Sequence, residues 1–141
     1  MSKTKKKSKI KKSSVNILVI EDQPINQDII SEMLEELGYS CEIVDNGLDG
    51  IKKFHKKKYD LVFLDIMMPK IDGYQTVRKM RESEDSSRRV PIIAVSANIF
   101  VDNQGHIPVR EIEECLNNGM DNFIAKPLRI NVLEEMIKKY L

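Results

Sequence analysis

Residues 61–81 read LVFLDIMMPKIDGYQTVRKMR, and this stretch carries the clearest structural signal in the chain. It opens with four apolar residues followed by Asp65, a run typical of a strand that is buried on both faces of a sheet. A segment with helical spacing follows over Gly73–Glu82, and Val77 and Met80 lie on its apolar face. The stretch therefore predicts a strand, a loop and a helix, with a carboxylate at the carboxyl end of the strand.

The same alternation continues on both sides of this stretch. Short β-rich runs predict further strands at 16–20, 41–44, 91–96 and Asn122–Ala125. Helical spacing predicts further helices near 25–37, 47–57, 109–118 and 131–140. Their expected apolar faces include Ile25, Ile29, Leu48 and Leu116, and Asn131 with Glu134 resembles a capping box that opens the last helix. Five successive β/α units predict an α/β fold, in which a doubly wound parallel sheet lies between two layers of helices.

Charge is distributed unevenly along the chain. The formal net charge of the 141 residues is +1, but residues 1–14 contain seven lysines and no acidic residue. The remaining residues contain 16 basic and 22 acidic side chains, a net charge of about −6. The lysine-rich segment has no periodicity and repels itself, so we expect a disordered tail at 1–14 and a single folded domain at 15–141.

Several classes of protein are disfavoured by composition. The apolar runs are too short to span a membrane, and no apolar stretch follows the N-terminal lysines as in a secretory signal. The two cysteines, Cys41 and Cys115, belong to no CxxC or Cys/His cluster, which argues against a zinc site or a disulfide framework. We therefore expect a cytoplasmic location.

The residues that follow each predicted strand carry the chemistry. In a doubly wound sheet, ligands bind beyond the carboxyl ends of the strands. Glu21 and Asp22 follow the first strand, and Lys126 follows the fifth. Asp65 is the last residue of the third strand, and Ser96 is the last residue of the fourth. These side chains are expected to meet in one small pocket.

The charges in that pocket suggest what it binds. Three carboxylates carry −3, and a divalent cation together with Lys126 would supply +3. Mg²⁺ favours a site made of carboxylates, water and phosphate oxygens, and Mn²⁺ is an equivalent choice. Phosphorylation of Asp65 would replace a charge of −1 with about −2, so additional hydrogen-bond donors are needed. The hydroxyl of Ser96 is the nearest candidate by topology.

Residues 15–141 resemble a receiver domain of the two-component response regulators, and more narrowly the receivers attached to hybrid sensor kinases. The matching segments are ILVIEDQPINQ, LVFLDIMMPKIDGYQTVRKMR, PIIAVSAN and CLNNGMDNFIAKPL, in this order. The resemblance implies a flavodoxin-like receiver fold, with a five-stranded sheet in the order 2-1-3-4-5.

The resemblance also implies roles for residues around Asp65, the phosphoacceptor. Glu21 and Asp22 would be the acidic pair that binds Mg²⁺ or Mn²⁺ together with Asp65. The main-chain carbonyl of Met67 would be a further metal ligand. Lys126 matches the lysine that contacts the phosphoryl group.

Other positions match the residues that tune and transmit the signal. Ser96 corresponds to the hydroxyl residue of the switch and Phe123 to its aromatic residue. Met67 and Asn98 lie where receivers tune the hydrolysis of the acyl phosphate. The bond between Lys126 and Pro127 is expected to be cis.

A phosphoacceptor module in a phosphorelay is the function that this resemblance implies. Its donor would be a histidine kinase or a histidine phosphotransfer protein, and its output partner is not indicated by the sequence. We expect self-catalysed phosphotransfer and autodephosphorylation rather than an enzyme with an external substrate. No fused output domain is expected, because the chain ends at Leu141, directly after the last predicted helix.

Three alternatives remain open. A pseudo-receiver would bind partners without phosphoryl turnover, and a tail-mediated module would bind nucleic acid or an anionic surface through the lysines. A phosphatase of the haloacid-dehalogenase type would need a second aspartate two residues after Asp65, where this chain has Met67. One departure from the receiver pattern is an apparent insertion at about 99–109, because 30 positions separate Ser96 from Lys126.

Overall fold

The computed structural model describes residues 12–85, 88–96 and 108–141. Strands and helices alternate along these segments. The strands are β1 (Ile17–Ile20), β2 (Glu42–Val44), β3 (Leu61–Asp65), β4 (Ile92–Ser96) and β5 (Asn122–Ala125). The helices are α1 (Pro24–Glu36), α2 (Gly47–Lys56), α3 (Gly73–Glu82), α4 (Val109–Asn117) and α5 (Ile130–Tyr140).

The five strands form one parallel sheet in the order β2-β1-β3-β4-β5, which confirms the predicted doubly wound fold. Every residue of β1, β3 and β4 is buried, because helices cover both faces of these central strands. One apolar cluster joins the sheet to α1 and α5, through residues such as Leu34 and Leu133. The other joins it to α2, α3 and α4, through Phe54, Met80 and Cys115.

Several predicted apolar faces were wrong in detail. Ile25, Ile29, Leu48 and Leu116 are between 38% and 74% exposed. The same helical spacing predicts Ile30 and Leu34 on the apolar face of α1, and these two residues are buried. A helix that flanks a sheet buries only the stripe that touches the strands, so apolar residues outside that stripe remain in contact with solvent.

The capping box predicted for the last helix is also wrong. Arg129 is the N-cap of α5 and makes no side-chain capping hydrogen bond. Because the helix begins at Ile130, Asn131 already lies inside its first turn and cannot act as the cap. A capping box is present elsewhere: the side chain of Asp72 accepts from the backbone N–H of Gln75, and Gln75 Oε1 accepts from Asp72 N–H.

The ordered domain begins earlier than predicted. Lys12–Ser14, which we expected within the disordered tail, forms a 3₁₀ turn. Lys12 Nζ donates to the carbonyl oxygen of Leu37 at 2.9 Å and lies 5.3 Å from the centre of the Tyr39 ring. The free carbonyls at the C-terminus of α1 favour a cation, which explains why Lys12 is held there.

Three predictions concern residues outside the described ones. They are the disorder of the tail over 1–11, most of the insertion at about 99–109, and the tuning role of Asn98. The helix expected after the insertion is present as α4, beginning at Val109. None of the helices in the described segments is long and apolar enough to cross a membrane.

Candidate functional site

Three carboxylates meet at the carboxyl edge of the sheet, as the strand ends predict. β1 and β3 are parallel neighbours with Ile20 opposite Leu64, so the next residues, Glu21 and Asp65, come to lie side by side. Each of these two residues is 5% exposed. Carboxylate oxygens of Glu21, Asp22 and Asp65 all lie within 4.8 Å of one another.

Lys126, which follows the edge strand β5, completes this group. Its backbone N–H donates to the carbonyl oxygen of Ser96 at 2.9 Å, which ties the residue after β5 to the end of β4. Its side chain then reaches across, with Nζ 2.7 Å from Glu21 Oε1 and 3.6 Å from Asp65 Oδ2. The peptide bond between Lys126 and Pro127 is cis, the isomer that the family resemblance implies.

Asp65 is an unusually weak acid in this setting. Burial raises the pKa of its carboxyl group, and the negative charge of Glu21 raises it further. Lys126 and a hydrogen bond from the backbone N–H of Met67, 3.2 Å from Asp65 Oδ1, act in the opposite direction. The resulting pKa of Asp65 is about 7, so the group exchanges its proton near neutral pH.

The loop after β3 turns back so that Gly73, at the start of α3, lies against the end of β3. The backbone N–H of Gly73 donates to the carbonyl oxygen of Ile66 at 2.8 Å. A Cβ atom on Gly73 would lie 2.6 Å from both the backbone oxygen of Asp65 and the Cα of Ile66. Glycine is therefore required here by a close approach of two backbone segments, and it lets the start of α3 support the end of β3.

The donor set fits a divalent metal ion. Asp22 Oδ1 is buried and, within the described part of the chain, has no hydrogen-bond partner. A buried carboxylate oxygen without a partner is costly, and coordination to a cation would remove that cost. With Lys126 counted, the three carboxylates carry a formal charge of −2, and hard cations such as Mg²⁺ or Mn²⁺ prefer such oxygen ligands.

The predicted switch residues, Ser96 and Phe123, lie on the neighbouring strands β4 and β5. Ser96 is 2% exposed at the end of β4, opposite Ala125 of β5. Phe123 is 5% exposed and already packs in the core with Cys115 and Met120. The side chain of Met67, two residues after Asp65, is exposed.

Two glutamines that the strand ends do not predict as site residues also contact the acidic pair. The backbone N–H of Gln23 donates to Glu21 Oε2 at 3.0 Å, and Gln27 Nε2 donates to the carbonyl oxygen of Glu21 at 2.7 Å. Both glutamines lie within the segment ILVIEDQPINQ, but they do not follow a strand directly, so the strand ends do not single them out. Only the path of the chain from β1 into α1 reveals these contacts.

Comparison with known proteins agrees with the geometry. Residues 17–138 match the family described as the response regulator receiver domain. The chain is 41% identical over 129 residues to hybrid signal transduction histidine kinase L of Dictyostelium discoideum, covering 88% of this chain and 7% of that protein. It is 32% identical over 124 residues to the sensor histidine kinase RcsC of Salmonella typhimurium, covering 88% of this chain and 12% of that protein. The chain thus spans only a small part of these curated relatives.

Solved structures show the same fold. The receiver domain of a sensor histidine kinase from Pseudomonas aeruginosa, solved with a magnesium ion coordinated in its active site cleft, is 34% identical. Its TM-score is 0.76, with 91% of this chain and 98% of that chain covered. The chemotaxis protein CheY4 of Vibrio cholerae has a TM-score of 0.76 at 20% identity, covering 90% of this chain and 98% of that chain. The sheet order, the acidic group with its lysine and the match over 17–138 together show that this chain belongs to the receiver domain family of two-component signalling.

Proposed function

We propose that this receiver accepts a phosphoryl group on Asp65 from a phosphohistidine and thereby changes its affinity for a partner protein. The observation that carries the proposal is the position of Asp65, buried between Glu21 and Lys126 with an ammonium group 3.6 Å from one of its oxygens. A carboxylate without a catalytic task rarely lies among two further acids at the end of an apolar strand.

The transfer needs an ionised Asp65. One carboxylate oxygen attacks the phosphorus, and the phosphorus–nitrogen bond of the phosphohistidine breaks, so that its electron pair returns to the imidazole nitrogen. Lys126 and the N–H of Met67 point to the oxygens of Asp65 and would offset charge on the transferring group. Glu21, Asp22 and Asp65, with the carbonyl of Met67, would hold a magnesium or manganese ion, which supplies charge neutralisation at the phosphoryl oxygens.

The signal is expected to be a population shift. One hydrogen bond from Ser96 to a charged phosphoryl oxygen contributes roughly 1.5–3 kcal/mol. Moving a state from about 1% to about 99% requires roughly 5.5 kcal/mol of differential binding. Lys126 and backbone N–H groups must therefore contribute as well. Phe123 is already buried, so phosphorylation would raise the fraction of molecules in which its side chain is buried.

The proposed partners follow from the relatives. Receivers in this set belong to hybrid and sensor histidine kinases, which supports a histidine kinase or a histidine phosphotransfer protein as the donor. The domain would catalyse its own phosphorylation and dephosphorylation and would act on no other substrate. Binding of an output protein, or transfer onward to a histidine phosphotransfer protein, would follow.

The direct test is phosphorylation by a small donor. The purified protein is incubated with acetyl phosphate and Mg²⁺, and its intact mass is measured. We expect the mass of one added phosphoryl group, which disappears when Mg²⁺ is chelated and in Asp65→Asn. Asp60→Asn is the matched control, because Asp60 precedes the same strand but pairs with Arg88 at 2.8 Å, away from the site.

A pseudo-receiver is the second candidate. If the protein is a pseudo-receiver, the folded wild type should gain no mass when it is incubated with acetyl phosphate and Mg²⁺. We favour phosphoryl turnover because Glu21, Asp22, Asp65 and Lys126 are all present and grouped. Affinity capture with and without beryllofluoride, a mimic of the phosphoryl group, would then reveal the partners that prefer the phosphorylated state.

A further inference from the structure

Glu21 is held at each of its four polar atoms. Its N–H donates to the carbonyl oxygen of Val44 at 3.0 Å, and its two carboxylate oxygens accept from Lys126 Nζ and from the N–H of Gln23. Its carbonyl oxygen accepts from Gln27 Nε2 at 2.7 Å. The bond from Gln27 is the one that reaches Glu21 from a side chain of α1.

The carbonyl oxygen of Glu21 belongs to the peptide unit that joins Glu21 to Asp22. This unit is planar, so holding its oxygen fixes the direction in which the chain continues into Asp22. The N-cap of α1 does not provide this support, because the side chain of Gln23 makes no capping hydrogen bond. Gln27, in the first turn of α1 and half-buried, therefore anchors the turn that carries the acidic pair.

We propose that Gln27 is a positioning residue for metal binding, an inference that rests on the proposed magnesium-dependent function. Gln27 contacts neither carboxylate. It holds the peptide unit between Glu21 and Asp22 so that the Asp22 carboxylate, whose buried Oδ1 has no partner, stays within 4.8 Å of the carboxylates of Glu21 and Asp65. Without this bond the turn samples more orientations in the metal-free protein. The turn must then be ordered when the ion binds, and this entropic cost lowers the affinity for the ion. Partners that orient metal ligands typically change metal affinity by about 10–100-fold.

The test compares two glutamine substitutions. Gln27→Met keeps the length of the side chain and removes its donor. Gln75→Met is the matched control: Gln75 also lies in the first turn of a helix and makes a backbone hydrogen bond, to Asp72 at 2.9 Å, but it has no contact with Glu21 or Asp22. Mg²⁺ affinity is measured by isothermal titration calorimetry, and stability is measured by urea unfolding in EDTA. The rate of phosphorylation by acetyl phosphate is followed as a function of Mg²⁺ concentration.

We expect Gln27→Met to raise the dissociation constant for Mg²⁺ by about tenfold, whereas Gln75→Met leaves it unchanged. The half-saturating Mg²⁺ concentration for phosphorylation rises by the same factor, and the rate at saturating Mg²⁺ stays close to that of the wild type. A lower urea midpoint with an unchanged dissociation constant would show a purely structural role and overturn the inference. If the wild type itself neither binds Mg²⁺ nor accepts phosphate, the proposed function fails; if only the effect of Gln27→Met is missing, the proposed function stands without this inference.

Discussion

Lys126 Nζ lies closer to Glu21, at 2.7 Å from Oε1, than to Asp65, at 3.6 Å from Oδ2. The ammonium group therefore links the residue after the fifth strand to the residue after the first, and it also lies near Asp65 at the end of the third. In this arrangement Lys126 forms a close ion pair with Glu21, and its ammonium group remains near enough to contact a phosphoryl group on Asp65.

Lys126→Gln is expected to slow phosphorylation of Asp65 by acetyl phosphate by about 100-fold or more, because a preorganised donor to the transferring oxygens is lost. The measurement is the rate of phosphoprotein formation at saturating Mg²⁺. Lys138→Gln serves as the control, because Lys138 is exposed and pairs loosely with Glu134 at 3.8 Å. Equal rates for the two variants would contradict the role given to Lys126.

Asp65→Asn is expected to stabilise the metal-free protein at pH 8. The pKa of Asp65 is raised to about 7 in the folded protein, whereas an unfolded aspartate has a pKa of about 3.9. Between these values the folded state binds more protons than the unfolded state, so the wild type loses stability as pH rises from about 4 to about 7.

The stability of Asp65→Asn does not fall over this pH range, because asparagine does not titrate. The variant and the wild type should therefore be equally stable near pH 4, and the variant should be more stable by roughly 1–3 kcal/mol above pH 7. Urea unfolding in EDTA from pH 4 to pH 8 measures this difference. Added Mg²⁺ should reverse the order at pH 8, because the ion stabilises only the folded state that binds it. Parallel pH profiles for the two proteins would contradict the raised pKa.

Gly73→Ala is expected to cost about 2–4 kcal/mol of stability, because its Cβ would meet backbone atoms of Asp65 and Ile66 at 2.6 Å. Relief of this clash must displace the end of β3, so the phosphorylation rate should also fall. The comparison variant is Gly38→Ala, at a positive φ of 96° after α1. Gly38→Ala should lower stability and leave phosphorylation unchanged, since Gly38 lies at the opposite edge of the sheet.

Arg81→Met is expected to lower stability by about 2–4 kcal/mol, because the poorly exposed Glu84 loses its cation and Asp121 keeps only its pair with Arg89. Arg81 bonds to Glu84 at 2.8 Å, to Asp121 at 2.8 Å and to the carbonyl oxygen of Gly119 at 2.9 Å. Lys79→Met should change stability by less than about 0.5 kcal/mol, because its pair with Glu82 is exposed. Both variants should accept phosphate at the wild-type rate once folded.

Much of the fold and the reactive group could be predicted, because both depend on the order of short apolar runs. Each run became a strand, and parallel pairing then brought Glu21, Asp65 and Lys126 to one edge regardless of the lengths of the connections. The details that failed depend on the orientation of each helix. Nothing in the spacing of Ile25 or Leu48 distinguishes a residue that touches the sheet from one a turn away.

Side-chain contacts between segments that are distant in the sequence could not be predicted either. The bond between Lys12 and Leu37 links residues 25 positions apart, and Lys12 looked like one more charge in a lysine-rich segment. The bond from Gln27 to Glu21 is short in sequence but depends on how the turn between β1 and α1 is oriented. Neither a periodicity nor a charge count contains that information.

The ion network around Arg81 joins the segments that lead into β4 and β5, at the amino edge of the sheet, whereas the carboxylates and Lys126 lie at the carboxyl edge. The two groups share strands but no side chains, so a substitution in one group leaves the contacts of the other group in place. Substitutions at such separated sites usually combine additively. The polar side chains at the carboxyl edge should therefore be replaceable without weakening the Arg81 network, provided that Gly73 is kept.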